Sequence, residues 1–438
     1  MLRDPRTYWR AGIAVALVGA AIGFASGPGG AQELAALTKS PPLRRERAQD
    51  SGRGRTFLGF DPRRHRRADA VMVSDLADGS TAVLSLDPGL QEHVSGMFAR
   101  YEVPYGALIA LEPSSGRVLA YVSHSSAEPD GPDLVLDPSP PTASVFKIVT
   151  GAALVEAGVD PDAPVCYHGG LSRLTEGNLE DDPGRDRSCA SLGEAMGGSI
   201  NAVFAKLAVR HLDPSTLERA ATRFGFGETL PFDVATRVSP REVPTERLEF
   251  ARTAAGFWHM HMSPFHGALM AAAVASGGVM PRATIVDTVL DARGRVTYEA
   301  HPTPFRTVME PEVASRVADM MRQTVAHGTA RQYFFDGRGN PFLPGIDAAG
   351  KTGTLTGSDP YRGYTWFVGF APVDDPQIAV AALVVNEPRW RIKGSFAARE
   401  AMRYWLVTRP ALERREAREA ERRMAEQAAS DEASASPL

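Results

Sequence analysis

Apolar residues recur along this chain in two rhythms, and the change from one to the other divides it. Helical spacing dominates the first two thirds. Leu90, Val94, Met97 and Phe98 fall at i, i+4, i+7 and i+8 and predict an amphipathic helix over 90–101. Val313, Val317, Met320 and Met321 predict another that finishes at Gly328. Asp213-Pro214 and Ser263-Pro264 are helix starts, each a capping side chain followed by a proline whose missing N–H costs nothing there. The first of these helices stops at Gly225, and the second runs apolar to Ala275 before Gly277-Gly278. Helical stretches over 191–196 and 202–211 flank Gly197-Gly198-Ser199-Ile200-Asn201, while 160–187 is irregular and polar. Strand-like runs cover 81–86, 106–111 and 117–123, the last two joined by a Glu-Pro-Ser-Ser-Gly hairpin turn. In the last third period two takes over, with strands expected at 350–354, 365–370 and 378–385 and a helix over 397–405 returning across them. Beyond Pro410 a charged helix is expected, with pairs such as Glu419 and Arg423.

One stretch departs from both rhythms. Residues 144–155 read as a helix that is apolar on every side, with a single charge, Lys147, in its first turn. Such a helix belongs between the layers of a domain, where an ammonium group is costly. Ser144 lies three residues earlier, on the same face. A hydroxyl beside a desolvated lysine can become a nucleophile, because burial favours the neutral amine that accepts its proton. The plain alternative is a helix cap beside a lysine that reaches to solvent, and the pair alone does not choose between them.

Composition narrows the setting. The 438 residues are 43% apolar and 23% charged, ordinary for a globular protein, and a net charge of −4 gives no reason to expect nucleic acid as a partner. Residues 39–67 carry ten Lys/Arg against three Asp/Glu, so the basic charge is concentrated there. Arg3, Arg6 and Arg10 precede an uncharged run over 11–25 and a Gly-Pro-Gly-Gly break, the pattern of a signal peptide or an N-terminal membrane anchor. The body of the chain is therefore expected outside the cytoplasm. In that oxidising setting Cys166 and Cys189 can pair across the polar stretch between them, although spacing leaves both the paired and the free state open. The parts are taken as a signal peptide or anchor (1–31), a basic linker (32–70), one folded domain (71–410) and a charged helix with a disordered tail (411–438).

Two further motifs answer the first. Ser199 and Asn201 sit in a glycine-flanked break where a hydroxyl and an amide can face a cleft, though either could equally cap a helix. Lys351-Thr352-Gly353-Thr354 lies on a strand, where Gly353 leaves room for a ligand beside the backbone and Lys351 offers a fixed positive charge to a carboxylate. His259-Met260-His261 has no third ligand nearby, so no metal is expected, and no cofactor is needed.

In this order the three motifs resemble the serine–lysine, serine–x–asparagine and lysine–threonine–glycine set of penicillin-recognising acyl transferases. The likeness to penicillin-binding protein transpeptidase domains runs from about Thr81 to Leu406. It includes 86–91, the 106–123 hairpin, Gly328-Thr329-Ala330 and Trp366-Phe-Val-Gly-Phe-Ala-Pro372. Thr142-Ala143 stands where many relatives have Pro-Gly. The resemblance implies an α/β (α+β) fold, a mixed and mainly antiparallel sheet flanked by helices plus an all-helical lobe. It also implies that Ser144 attacks the penultimate D-alanine of a peptidoglycan stem peptide and that Lys147 takes its proton. Ser199 would relay a proton to the leaving D-alanine, and Asn201 would hold the donor amide. Lys351, Thr352, Gly353 and Thr354 would bind the terminal carboxylate side, with N–H groups of Ser144 and Thr354 as the oxyanion hole. Stem peptides and β-lactams are the implied ligands, with a separate glycan polymerase as a candidate partner. A D,D-carboxypeptidase or endopeptidase, or a β-lactam or muropeptide sensor, are the rival readings.

Overall fold

The computed structural model describes residues 56–57 and 59–435; the N-terminal Arg and apolar pattern lies outside them. The strands are β1 (Arg66–Ala68), β2 (Val71–Asp75), β3 (Thr81–Leu84), β4 (Tyr105–Leu111), β5 (Val118–His124), β6 (Val165–Tyr167), β7 (Ser188–Ala190), β8 (Val279–Pro281), β9 (Val286–Leu290), β10 (Val296–Glu299), β11 (Pro304–Thr307), β12 (Ala349–Ser358), β13 (Tyr361–Ala371) and β14 (Ile378–Asn386). The α-helices are α1 (Pro88–Arg100), α2 (Lys147–Glu156), α3 (Leu192–Gly198), α4 (Asn201–His211), α5 (Pro214–Arg223), α6 (Arg247–Ala254), α7 (Pro264–Ala275), α8 (Pro311–Ala326), α9 (Arg331–Phe334), α10 (Gly394–Arg403) and α11 (Arg409–Ala435).

The central sheet has the order β12-β13-β14-β4-β5, and all its pairings are antiparallel. β14 is buried at every position, which is why its sequence is a continuous apolar run and not an alternation. The sheet separates two cores. Trp366, Val368 and Leu383 lie on the side of α7, while Phe367, Val380 and Val384 face α10 on the other. A second antiparallel sheet, β1-β2-β3-β9-β10, ties residues 66–84 to 286–299. The bridge Arg117–Thr284, the one parallel pairing among the described residues, links it to β5. Helices α2 to α6 and α8 form the helical lobe.

Several expectations are corrected. Phe57 and residues 59–70 do not lie apart from the body as a linker: Phe60 is buried, β1 pairs with β2, and the Phe57 N–H donates to the Asp233 carbonyl. The stretch 160–187 is not wholly irregular, since β6 pairs with β7 and Cys166 is directly opposite Cys189, to which it is disulfide-bonded. The helix of residues 144–155 starts as a 3-10 turn, Ala143–Phe146, before α2 begins at Lys147. On α11 Glu419 takes its partner from the preceding turn, Arg415, and not from Arg423.

Candidate active site

The Ser144 turn is held from three directions. Indole Nε1 of Trp366 donates to the Pro141 carbonyl at 2.9 Å, and the Thr142 N–H donates to the Met260 carbonyl at 2.8 Å. Ala143 takes a left-handed conformation, φ 49°, although it is not glycine. A Cβ on Gly353 would lie 3.1 Å from Ala143 Cβ and 3.2 Å from the Thr142 carbonyl. The space beside Gly353 is therefore filled by the Ser144 turn, and the expected gap for a ligand is not there. What glycine allows is the close approach of β12 to Ser144.

Lys147 is fully buried and makes no ion pair among the described residues. Its Nζ lies 3.0 Å from Ser144 Oγ, 2.6 Å from Asn201 Oδ1 and 2.5 Å from the Ala255 carbonyl. Burial first, and the nearby Lys351 charge second, hold its pKa well below the ordinary lysine value. The Phe204 ring, 5.4 Å away, returns only a little of the lost solvation. Geometry and charge then agree. A neutral amine has two N–H groups and one lone pair; Asn201 and Ala255 can accept both protons, which leaves the lone pair facing the Ser144 hydroxyl.

Ser199 and Asn201 reach the same cleft because the chain turns sharply between α3 and α4. Ser199 ends α3 with φ 56°, in the left-handed region. Neither side chain caps α4, whose N-cap is Ile200. Asn201 instead faces inward, with Oδ1 on Lys147 and Nδ2 donating to the Leu171 carbonyl at 2.5 Å.

Lys351 is also fully buried, and its Nζ donates to Ser199 Oγ at 3.0 Å and to the Thr352 carbonyl at 3.1 Å. Burial brings its pKa down to about 7, so it is not the fixed charge expected from the sequence. Thr352 Oγ1 shares a hydrogen bond with Thr329 Oγ1 at 2.5 Å, while Thr354 is exposed on the same edge strand. Thr329 was given no role by sequence reasoning, although it is the middle residue of Gly328-Thr329-Ala330. The two carbonyls that orient the site, of Leu171 and Ala255, left no trace in residue type at all. His259 pairs with Glu249 at 2.7 Å, and His261 Nδ1 meets the Ser139 carbonyl at 2.7 Å.

Comparison with known proteins gives a consistent result. A model described as the penicillin binding protein transpeptidase domain matches residues 106–404. Peptidoglycan D,D-transpeptidase PbpA of Mycobacterium tuberculosis (strain ATCC 25618 / H37Rv) is 28% identical over 389 residues, covering 78% of this chain and 74% of that protein. The D,D-transpeptidase domain of a peptidoglycan glycosyltransferase from Eggerthella lenta superposes with a TM-score of 0.63 at 25% identity, over 77% of this chain and 85% of that one. An imipenem acyl-enzyme complex of penicillin-binding protein A from M. tuberculosis gives 0.62 at 23% identity, over 74% and 79%.

Proposed function

The chain belongs to the penicillin-binding protein transpeptidase family, and we propose that Ser144 is the nucleophile through which it performs D,D-transpeptidation of peptidoglycan stem peptides. The observation that carries this is the environment of Lys147: buried, without a carboxylate partner among the described residues, and with its Nζ 3.0 Å from Ser144 Oγ.

The steps follow from the geometry. Lys147 Nζ takes the Ser144 proton as Oγ bonds to the carbonyl carbon of the penultimate D-alanine. The developing oxyanion is received by the N–H groups of Ser144 and Thr354. As the C–N bond breaks, Ser199 gives its proton to the departing D-alanine amine and is resupplied by Lys351, 3.0 Å away. Lys351 with Thr352 and Thr329 receives the terminal carboxylate. The second N–H of the Asn201 amide is left for the donor's own amide carbonyl. As an edge strand, β12 offers an extended peptide its unpaired outer backbone groups. An acceptor amine then attacks the acyl carbon, its proton passing through Ser199 to Lys351, and the Oγ–C bond breaks as Lys147 returns the proton to Ser144 Oγ.

A β-lactam would enter as a mimic of the donor and stop at the acyl-serine; the M. tuberculosis protein is known as an imipenem acyl-enzyme complex. The reaction takes place outside the cytoplasm. We read the 11–25 run as the export signal or anchor that delivers the chain there, and a separate glycan polymerase as its partner. Among the described residues no helix is long and apolar enough to cross a membrane.

The test is mass analysis of a pentapeptide carrying terminal D-Ala-D-Ala, incubated with and without an acceptor amine. A new amide product that requires the acceptor is expected. Tetrapeptide as the sole product in both incubations would make the enzyme a carboxypeptidase.

A further inference from the structure

The Asn201 amide has two orientations of nearly equal shape and opposite chemistry. With Oδ1 on Lys147 it accepts an N–H and leaves the amine lone pair to Ser144. Flipped, its NH2 would donate into that lone pair and block the base. The other end of the amide decides, since a backbone carbonyl can only accept. Leu171 supplies it, 2.5 Å from Nδ2.

The Leu171 side chain is 62% exposed, and the apolar anchors of its loop are Leu174 and Leu179, both buried in the main core. Further fastenings lie at the base. The disulfide Cys166–Cys189 closes it. Lys206, fully buried on α4, donates to the Cys166 carbonyl at 2.9 Å and to Asp186 Oδ2 at 2.6 Å. Asp186 in turn pairs with His168 Nδ1 at 2.5 Å, and Asn178 Nδ2 donates to the His168 carbonyl at 2.9 Å. Asn201 and Lys206 are both on α4, so one helix carries the catalytic amide and the clamp on the loop that orients it.

We infer that the 166–189 loop, held shut by the Cys166–Cys189 bond, is a positioning element for catalysis: through the Leu171 carbonyl it fixes the orientation of the Asn201 amide and keeps the Lys147 lone pair free for Ser144. The inference rests on Ser144 and Lys147 being nucleophile and base. Leu171 touches no reacting atom; it acts through Asn201.

The chain has only two cysteines, so a phosphine reductant opens this one bond. The measurement is the rate of acylation by a fluorescent penicillin against its concentration, for oxidised and reduced protein, in wild type and in Asn201→Ala. In wild type, reduction should lower the limiting rate by roughly ten- to a hundred-fold, with initial binding nearly unchanged and activity restored on reoxidation. In Asn201→Ala, reduction should cost nothing further. An equal loss in both backgrounds, or no loss in wild type, overturns the inference. Should the reduced protein unfold, Asn178→Ala with the disulfide intact loosens the same tip and must show the same dependence on Asn201. Ser144→Ala keeps the two readings apart: label on that variant defeats the nucleophile assignment, whereas a blank variant with equal losses defeats only the loop's role.

Discussion

Lys147 and Lys351 are both buried, yet their partners give them different work. Lys147 has two acceptors, the Asn201 amide oxygen and the Ala255 carbonyl, and one hydroxyl, which suits a base. Lys351 touches a hydroxyl and a carbonyl and keeps one N–H direction open. Because burial brings Lys351 to about pKa 7, it is mostly neutral at pH 8 in the free enzyme. A ligand carboxylate restores its charge, so binding should draw a proton from solvent. Calorimetry on Ser144→Ala with a carboxylate-bearing β-lactam, in buffers of different ionisation enthalpy, should read an uptake of about one proton at pH 8. Below pH 6 the uptake should vanish, and Lys351→Met should show none. The same shift sets a stability trend. The folded pKa is lowered, so between about 7 and the ordinary lysine value of 10.5 the unfolded chain binds more protons and stability rises with pH. Thermal midpoints should climb from pH 7 to pH 9 in wild type and climb less in Lys351→Met; equal slopes would contradict the shift.

At the scale of elements, the site depends on how closely β12 approaches the Ser144 turn. Two glycines on one strand separate that requirement from a general effect of substitution. A Cβ at Gly353 meets Ala143, Thr142 and Val145 at 3.1–3.2 Å, whereas at Gly357 nothing lies within 4 Å. Gly353→Ala should cost about 1–3 kcal/mol by overpacking and slow acylation at saturation. Gly357→Ala should stay within about 0.5 kcal/mol of wild type. Denaturant unfolding with acylation kinetics checks both, and equal effects would remove the argument. Gly256 is the more severe case, with φ 81° and a Cβ that would stand 2.4 Å from the Ala143 carbonyl. What the sequence made legible here follows from physics. Ser144, Lys147, Ser199, Asn201 and Lys351 announce themselves by residue type and spacing, and the structure brings all five together. The Leu171 and Ala255 carbonyls could not be read, because every residue has one and only the fold aims it. Strands β1, β6 and β7 are three residues long, too short for alternation to show.

For the whole molecule, the order of elements explains the cleft. The sheet is buried on both faces, and the Ser144 turn, the α3–α4 break and β12 converge at its β12 edge. The long apolar strands and capped helices were legible because each carries its own period. The second sheet was not, since it joins segments some 200 residues apart whose short strands acquire partners only on folding. Everything proposed about catalysis nonetheless reduces to one bond formed at Ser144 with Lys147 as its base. The most direct measurement is therefore the acylation rate by a fluorescent penicillin, taken to saturation, for wild type, Ser144→Ala and Lys147→Met. The account predicts no label on Ser144→Ala, and for Lys147→Met a limiting rate lower by roughly two to four orders of magnitude with initial binding retained. Wild-type labelling of Ser144→Ala, or a wild-type limiting rate in Lys147→Met, would contradict it.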